Sequence, residues 1–250
     1  MTPRQTLAWQ VALGLLLMAL WEALGQLGAV NYVSRPSLVA AKLALWFGGT
    51  VYQHLGTTLI ELILGMGIGS SLGIVAGLFL GRAPVAAVVL RPLIVALYSV
   101  PLVALAPLFI MFLGLGVLPK IVLVGLVTFF LLFFNTFAGA ERIDEDQVHA
   151  LELMGASRGE IFRKVVAPGT AVWIVGGLKI ALPYALVATI TGELLATRAG
   201  LGFLLSQASE RFDMAGLYAV LFILMTIGLL LSEASARLET HLLHWRQGHD

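Results

Sequence analysis

The 250 residues are 59% hydrophobic and only 12% charged, with 15 Lys and Arg against 14 Asp and Glu, a net charge of +1. Soluble domains carry about 25% charged residues, so this chain has too few to clothe a water-facing surface, and a mean hydropathy of +0.96 agrees. The composition indicates an integral membrane protein, excludes disorder and nucleic-acid binding, and with no Cys excludes disulfides, zinc ribbons and iron–sulfur sites.

A span needs about 20 apolar residues, and six such stretches can be marked along one membrane domain, 1–250. The first covers roughly 7–29. Arg4 and the apolar run after it resemble a secretion signal, but the run is too long and lacks a cleavage site, so it reads as a retained helix. The polar connection Asn31–Ser37 leads to a predicted surface helix over 38–52, with Lys42 on one side and Trp46 and Phe47 on the other. The second span, roughly 56–80, repeats glycine at 65, 69, 73, 77 and 81, a stripe that permits close helix approach. The third, roughly 86–113, contains or borders Pro92, Pro101 and Pro107 and is expected to be kinked or broken. The fourth covers roughly 121–140, the fifth 170–192 and the sixth 215–232. Residues 193–214 read as a loop and 233–250 as a polar tail.

Six spans place both termini on one side. That side holds nine flanking Lys and Arg against five on the other, which assigns the termini and the 141–169 segment to the cytoplasm.

The 141–168 segment is the most informative. Asp144, Glu145 and Asp146 suit a helix N-terminus, and Val148, Leu151 and Met154 follow at helical spacing. Gly155 interrupts this helix. Ser157 and Glu160 form a capping box that starts a second, on which Ile161, Phe162 and Val165 are apolar and which Pro168 is expected to end. The apolar residues of such a pair need a cover, either the protein's own membrane ends or a cytoplasmic partner.

His149-Ala150-Leu151, Gly155 and Val165-Val166-Ala167-Pro168 resemble the cytoplasmic signature of ABC-importer permeases, matching it at Ala150, Gly155 and Pro168 and departing at His149, Leu151, Val165 and Ala167. Met154-Gly155-Ala156-Ser157-Arg158 is similar to the variant in nitrate-, sulfonate- and taurine-type permeases. Further similar phrases are Arg35–Ser37, Pro101–Leu108, Gly114–Gly116, Gly176–Ala181, and Gly192-Glu193 with Gly200–Gly202.

The resemblance implies an all-α fold of six spans, with a coupling-helix pair between the fourth and fifth. It implies a permease dimer in the bacterial inner membrane, a periplasmic or lipid-anchored solute-binding protein, and a cytoplasmic ABC ATPase dimer that binds ATP and Mg. The coupling element would then comprise Val148, Ala150, Leu151, Met154, Gly155, Ala156, Ser157, Arg158, Ile161, Phe162 and Pro168. This chain has no Gly-x4-Gly-Lys-[Ser/Thr] phosphate loop, so no cofactor is expected in it.

Ionisable residues in spans default to functional candidates. Glu22, Glu61, Lys179 and Glu193 qualify, although each can also reach an interface or a partner. Pro101, Lys179 and Glu193 lie in family-like phrases and are the candidates for the translocation path. A cation there would suit a small anionic solute. The tail histidines 241, 244 and 249 read as part of an interfacial amphipathic tail rather than a metal site, and no catalytic set appears. The alternative is a secondary transporter driven by an ion gradient, which calls for inverted repeats of broken helices. Only the third span offers a break.

Overall fold

The computed structural model describes residues 3–27, 33–195 and 198–243. They contain helices and turns and no strand. In chain order the helices are α1 (Pro3–Gln26), α2 (Pro36–Phe47), α3 (Val51–Gly81), α4 (Pro84–Tyr98), α5 (Ala106–Leu113), α6 (Leu118–Glu141), α7 (Glu145–Leu153), α8 (Arg158–Ile161), α9 (Ala167–Leu195), α10 (Leu201–Glu210) and α11 (Met214–Leu242). Five helices are long and apolar enough to cross a membrane, and α4 with α5 forms a sixth span bent by 72°.

The centre is α3 packed on α6, with α9 on the other side of α6. The glycine stripe explains the first contact. A Cβ at Gly65 would sit 2.6 Å from Val124 Cβ, one at Gly73 2.5 Å from Phe129 O, and one at Gly77 2.7 Å from Phe133 O. These glycines let the two backbones meet, and a side chain at any of them would have to push α6 away. On the opposite face of α3, Leu64, Ile68, Leu72, Val75 and Phe79 stay exposed. An apolar stripe of that length is tolerated where lipid is the solvent.

The proline-rich third span breaks where its sequence predicts. Pro92 sits inside α4. Pro101 stands at the break, before a tight turn over Leu102–Leu105, while Pro107 occupies the first turn of α5, where its missing N–H costs nothing. The span reverses into α6 through Gly114 and Gly116, both at positive φ.

Three sequence expectations change. Residues 201–210 of the expected loop form α10, buried through Leu201, Gly202, Leu204 and Ala208. The expected polar tail continues α11 to Leu242, while His244 and His249 lie outside the described residues. The surface helix α2 ends at Phe47, and α3 starts at Val51, earlier than the apolar run suggests.

Peripheral α1 has no buried residue in its apolar window. Its Glu22 carboxylate receives the Ser37 backbone N–H (3.0 Å) and hydroxyl (2.8 Å). Arg35 offers α2 no side-chain cap, so Glu22 supplies the acceptor that the first turn of α2 lacks.

Candidate functional site

At one end of the bundle, the chain leaves α6 and builds the helix pair. Asp144 caps α7 by accepting the Asp146 N–H at 3.0 Å, with Glu145 and Asp146 in the first turn. Arg82, just after α3, holds Glu145 at 2.8 Å. The helix stops at Gly155, whose φ of +81° an L side chain adopts only with strain. There Gly155 N–H donates to Glu152 O (2.9 Å) and Ala156 N–H to Leu151 O (3.0 Å). These two bonds complete a Schellman C-cap. Two residues later Ser157 and Glu160 form the capping box, with Ser157 N–H donating to Glu160 Oε2 at 2.9 Å. One turn therefore carries a C-cap and an N-cap back to back, which fixes the angle between the helices.

The apolar residues of the pair divide. Ile143, Val148, Ile161 and Val166 are buried together, with Leu151, Ala156, Val165 and Leu78 of α3 packed against them. They seat the pair on the membrane end of α3. Met154 does not share that face. It lies about 120° around the helix from Val148 and is 81% exposed. Its neighbour Leu153 is 90% exposed, and Phe162 46%. The tip of the turn therefore presents Leu153 and Met154, with Ala150, Ser157 and Arg158 exposed around them. Leu153 was absent from the sequence reading. Helical arithmetic applied from Val148 alone would have found it, because about 100° per residue turns it away from the buried face.

Pro168 does not end the second helix. Phe162–Val166 form a π turn in which Ala167 N–H reaches back five residues to Phe162 O. Residues Arg158–Leu195 thus run as one helix of 38 residues. A proline within an α-helix removes a bond and crowds the carbonyl four residues back. The wider π turn accommodates both effects.

Midway along the bundle, the break between α4 and α5 opens a cavity of about 620 Å³. Tyr98, Ser99, Pro101 and Leu102 line it from the break, Val127 and Leu131 from α6, and Ile180 and Tyr184 from α9. Pro101 is in this lining. Lys179 is not: it pairs with Glu239 of α11.

Glu193 lies at the far end of the bundle, in a buried polar cluster. Thr58 Oγ donates to Glu193 Oε1 (2.7 Å) and accepts from Leu201 N–H (2.8 Å). Gly202 N–H donates to Glu193 Oε2 (2.6 Å), and Gly200 N–H to His54 Nδ1 (3.1 Å). The Glu193 carboxylate therefore sits on the first N–H groups of α10, where the helix dipole favours an anion. Gly200 has φ +115°, and a Cβ on Gly202 would lie 2.7 Å from Ile190 O. Both glycines are needed for that approach. Beside this cluster Lys120 Nζ lies 2.5 Å from Glu61 Oε1, with side chains 3% and 0% exposed. The arrangement sets one buried cation beside Glu61, gives Glu193 hydrogen-bond donors instead, and links α3, α6, α9 and α10.

Residues 69–242 match the family described as "Binding-protein-dependent transport system inner membrane component". The chain is 30% identical to the formylaminopyrimidine transport permease protein ThiX of Halalkalibacterium halodurans over 93% of this chain and 94% of that one. It is 28% identical to the taurine transport system permease protein TauC of Escherichia coli, over 97% and 92%. Its fold is similar to that of a chain of the MetNI methionine ABC transporter in an inward-facing conformation, with a TM-score of 0.65 at 20% identity over 77% of this chain and 95% of that one. The chain belongs to the binding-protein-dependent inner-membrane transport family and is the permease component of an ABC importer.

Proposed function

We propose that two copies of this chain form the membrane path of the importer, with both termini in the cytoplasm, and that a separate cytoplasmic ATPase pair grips the α7–α8 turn of each copy. A binding protein outside the membrane would deliver the solute. ATP and Mg belong to the ATPases, consistent with the missing phosphate loop in this chain.

The observation that carries this reading is the Leu153–Met154 tip. Two large apolar side chains are almost fully exposed on a turn capped from both sides and continuous with a spanning helix. An exposed pair of apolar anchors on a rigid turn fits a groove on a partner. Closure of the ATPases would push this tip, and α9 would carry the displacement to the cavity wall at Ile180 and Tyr184.

The solute is small, and the taurine relative favours one with an anionic group. Tyr98, Ser99 and Tyr184 are the hydroxyl-bearing residues in the lining, and they offer such a group hydrogen bonds without charge. Lys179, which first suggested an anion, is engaged with Glu239 instead.

The test is reconstitution with the ATPase, the binding protein and radiolabelled solute. The double variant Leu153→Asp, Met154→Asp should insert normally, lose ATPase recruitment and abolish uptake. Full uptake by that variant would overturn the docking assignment. Uptake by the permease alone under an ion gradient would overturn the ATP-driven reading and support a secondary transporter.

A further inference from the structure

A second, smaller cavity lies at the α7–α8 end of the bundle, between α4 and α6. Its volume is about 270 Å³. Phe133, Phe134 and Phe137 form an aromatic wall, and Arg91, Glu141 and Arg142 line its rim. Two guanidiniums against one carboxylate leave it with one excess positive charge.

Neither arginine is consumed by its neighbours. Arg91 Nη1 is 3.9 Å from Glu141 Oε1, with side chains 61% and 53% exposed, so the pair is loose and worth little. The Arg142 guanidinium carbon lies 4.8 Å from the centre of the Trp173 ring, and that of Arg91 5.6 Å from the centre of the Phe137 ring. No carboxylate lies within ion-pair distance of Arg142 among the described residues.

The setting selects the ligand. Arg91 lies about 10 Å along α4 from Pro84, and Arg142 directly follows α6. Both are therefore near the level where headgroups meet acyl chains. No residue of α4 is buried, and Val88, Val89 and Leu93 are exposed beside the cavity. A ligand here needs an anionic head for two guanidiniums and a hydrocarbon body for the exposed apolar residues of α4 and the partly exposed Phe134, since Phe133 and Phe137 behind it are buried. We propose that this cavity binds an anionic phospholipid, its phosphate between Arg91 and Arg142 and an acyl chain against Phe134 and the exposed apolar residues of α4. Basic pockets between spanning helices recognise such headgroups, and guanidiniums match phosphate oxygens two at a time. A lipid held there would brace α4 against α6 one residue before the chain turns into Ile143 and α7.

The experiment uses the purified permease without ATPase or binding protein, so its outcome is separate from the docking test above. The protein is equilibrated with equal parts phosphatidylcholine and phosphatidylglycerol, and retained lipid is measured by native mass spectrometry. The wild type should retain phosphatidylglycerol. Arg91→Gln and Arg142→Gln should each lower retention about tenfold, the effect of one charge-assisted contact. Arg91→Lys, which keeps the charge and tests for mere misfolding, should retain more than Arg91→Gln. Undiminished retention in the double Gln variant would overturn the proposal. So would displacement of the lipid by inorganic phosphate alone, which would mark a site for a free anion.

Discussion

The two ends of the bundle treat polar and apolar groups in opposite ways. At the Glu193 end, charged and hydroxyl groups are buried against one another: Lys120 beside Glu61, Thr58 on Glu193, Glu193 on the start of α10. At the α7–α8 end, ion pairs are exposed and the large apolar residues at the tip are uncovered. A buried cluster of polar contacts holds elements in one arrangement. An exposed apolar tip on a stiff turn gains from meeting something else. One end closes the structure on itself, and the other leaves its strongest contact unmade.

The comparison breaks most severely at the closed end. Lys120→Ala leaves Glu61 buried without a cation and should cost about 3–5 kcal/mol, read as loss of folded protein in a detergent melting assay. The double variant Lys120→Met, Glu61→Leu removes both charges and should recover most of that loss. Next comes Gly69→Val, whose side chain would run into the Gly125 carbonyl. It should cost about 1–3 kcal/mol and loosen the α3–α6 contact, seen as slower cross-linking between cysteines placed facing each other on the two helices. At the open end Gly155→Val forces a β-branched residue to positive φ and should cost about 1–2 kcal/mol, while uptake falls much further than stability. Leu153→Asp with Met154→Asp should change the melting temperature within the range of about 0.5 kcal/mol, because nothing in the chain covers those residues.

The smallest effect concerns Lys42 and Asp213, 2.5 Å apart and partly exposed. Burial alone would raise the Asp213 carboxyl, but hydrogen bonds from Lys42 and the Gly216 N–H outweigh it and hold it below the ordinary aspartate value. A depressed carboxylate stabilises the fold above its unfolded value of about 3.9, and this is lost as pH falls through the folded value. Asp213→Asn should therefore flatten the acid limb of the melting curve, lowering stability slightly at neutral pH and converging with the parent at low pH.

Much of this was legible in the residues because local rules dominate there. The Ser157–Glu160 box, the Gly155 turn and the proline break are set within a few residues of sequence, and the structure reproduces their chemistry. Ten of the chain's charged residues fall in 141–164, which singled out the helix pair before any fold was known. What stayed hidden depends on distant partners. Glu193 reads as a candidate for the path until Thr58 and Gly202, from two other elements, are seen around it. Lys179 reads as a cation in the path until Glu239, 60 residues away, takes it. The helicity of 201–210 is masked by Gly200, Gly202 and the charged Arg198, Glu210, Arg211 and Asp213 in and around it, which resemble a loop, while its anchor, the Glu193 carboxylate, is not adjacent in sequence.

The π turn at Phe162–Val166 sets a rotational phase. One additional residue in a helix advances every following side chain by about 100° around the axis, so the turn fixes which compass direction the Leu153–Met154 tip takes relative to the face of α9 at Ile180 and Tyr184. Pro168 is the other half of that setting, since without it nothing disfavours the ordinary helical bond that would close the turn. Removing the extra residue while keeping the proline, or the proline while keeping the residue, would leave every contact surface chemically intact yet aimed the wrong way.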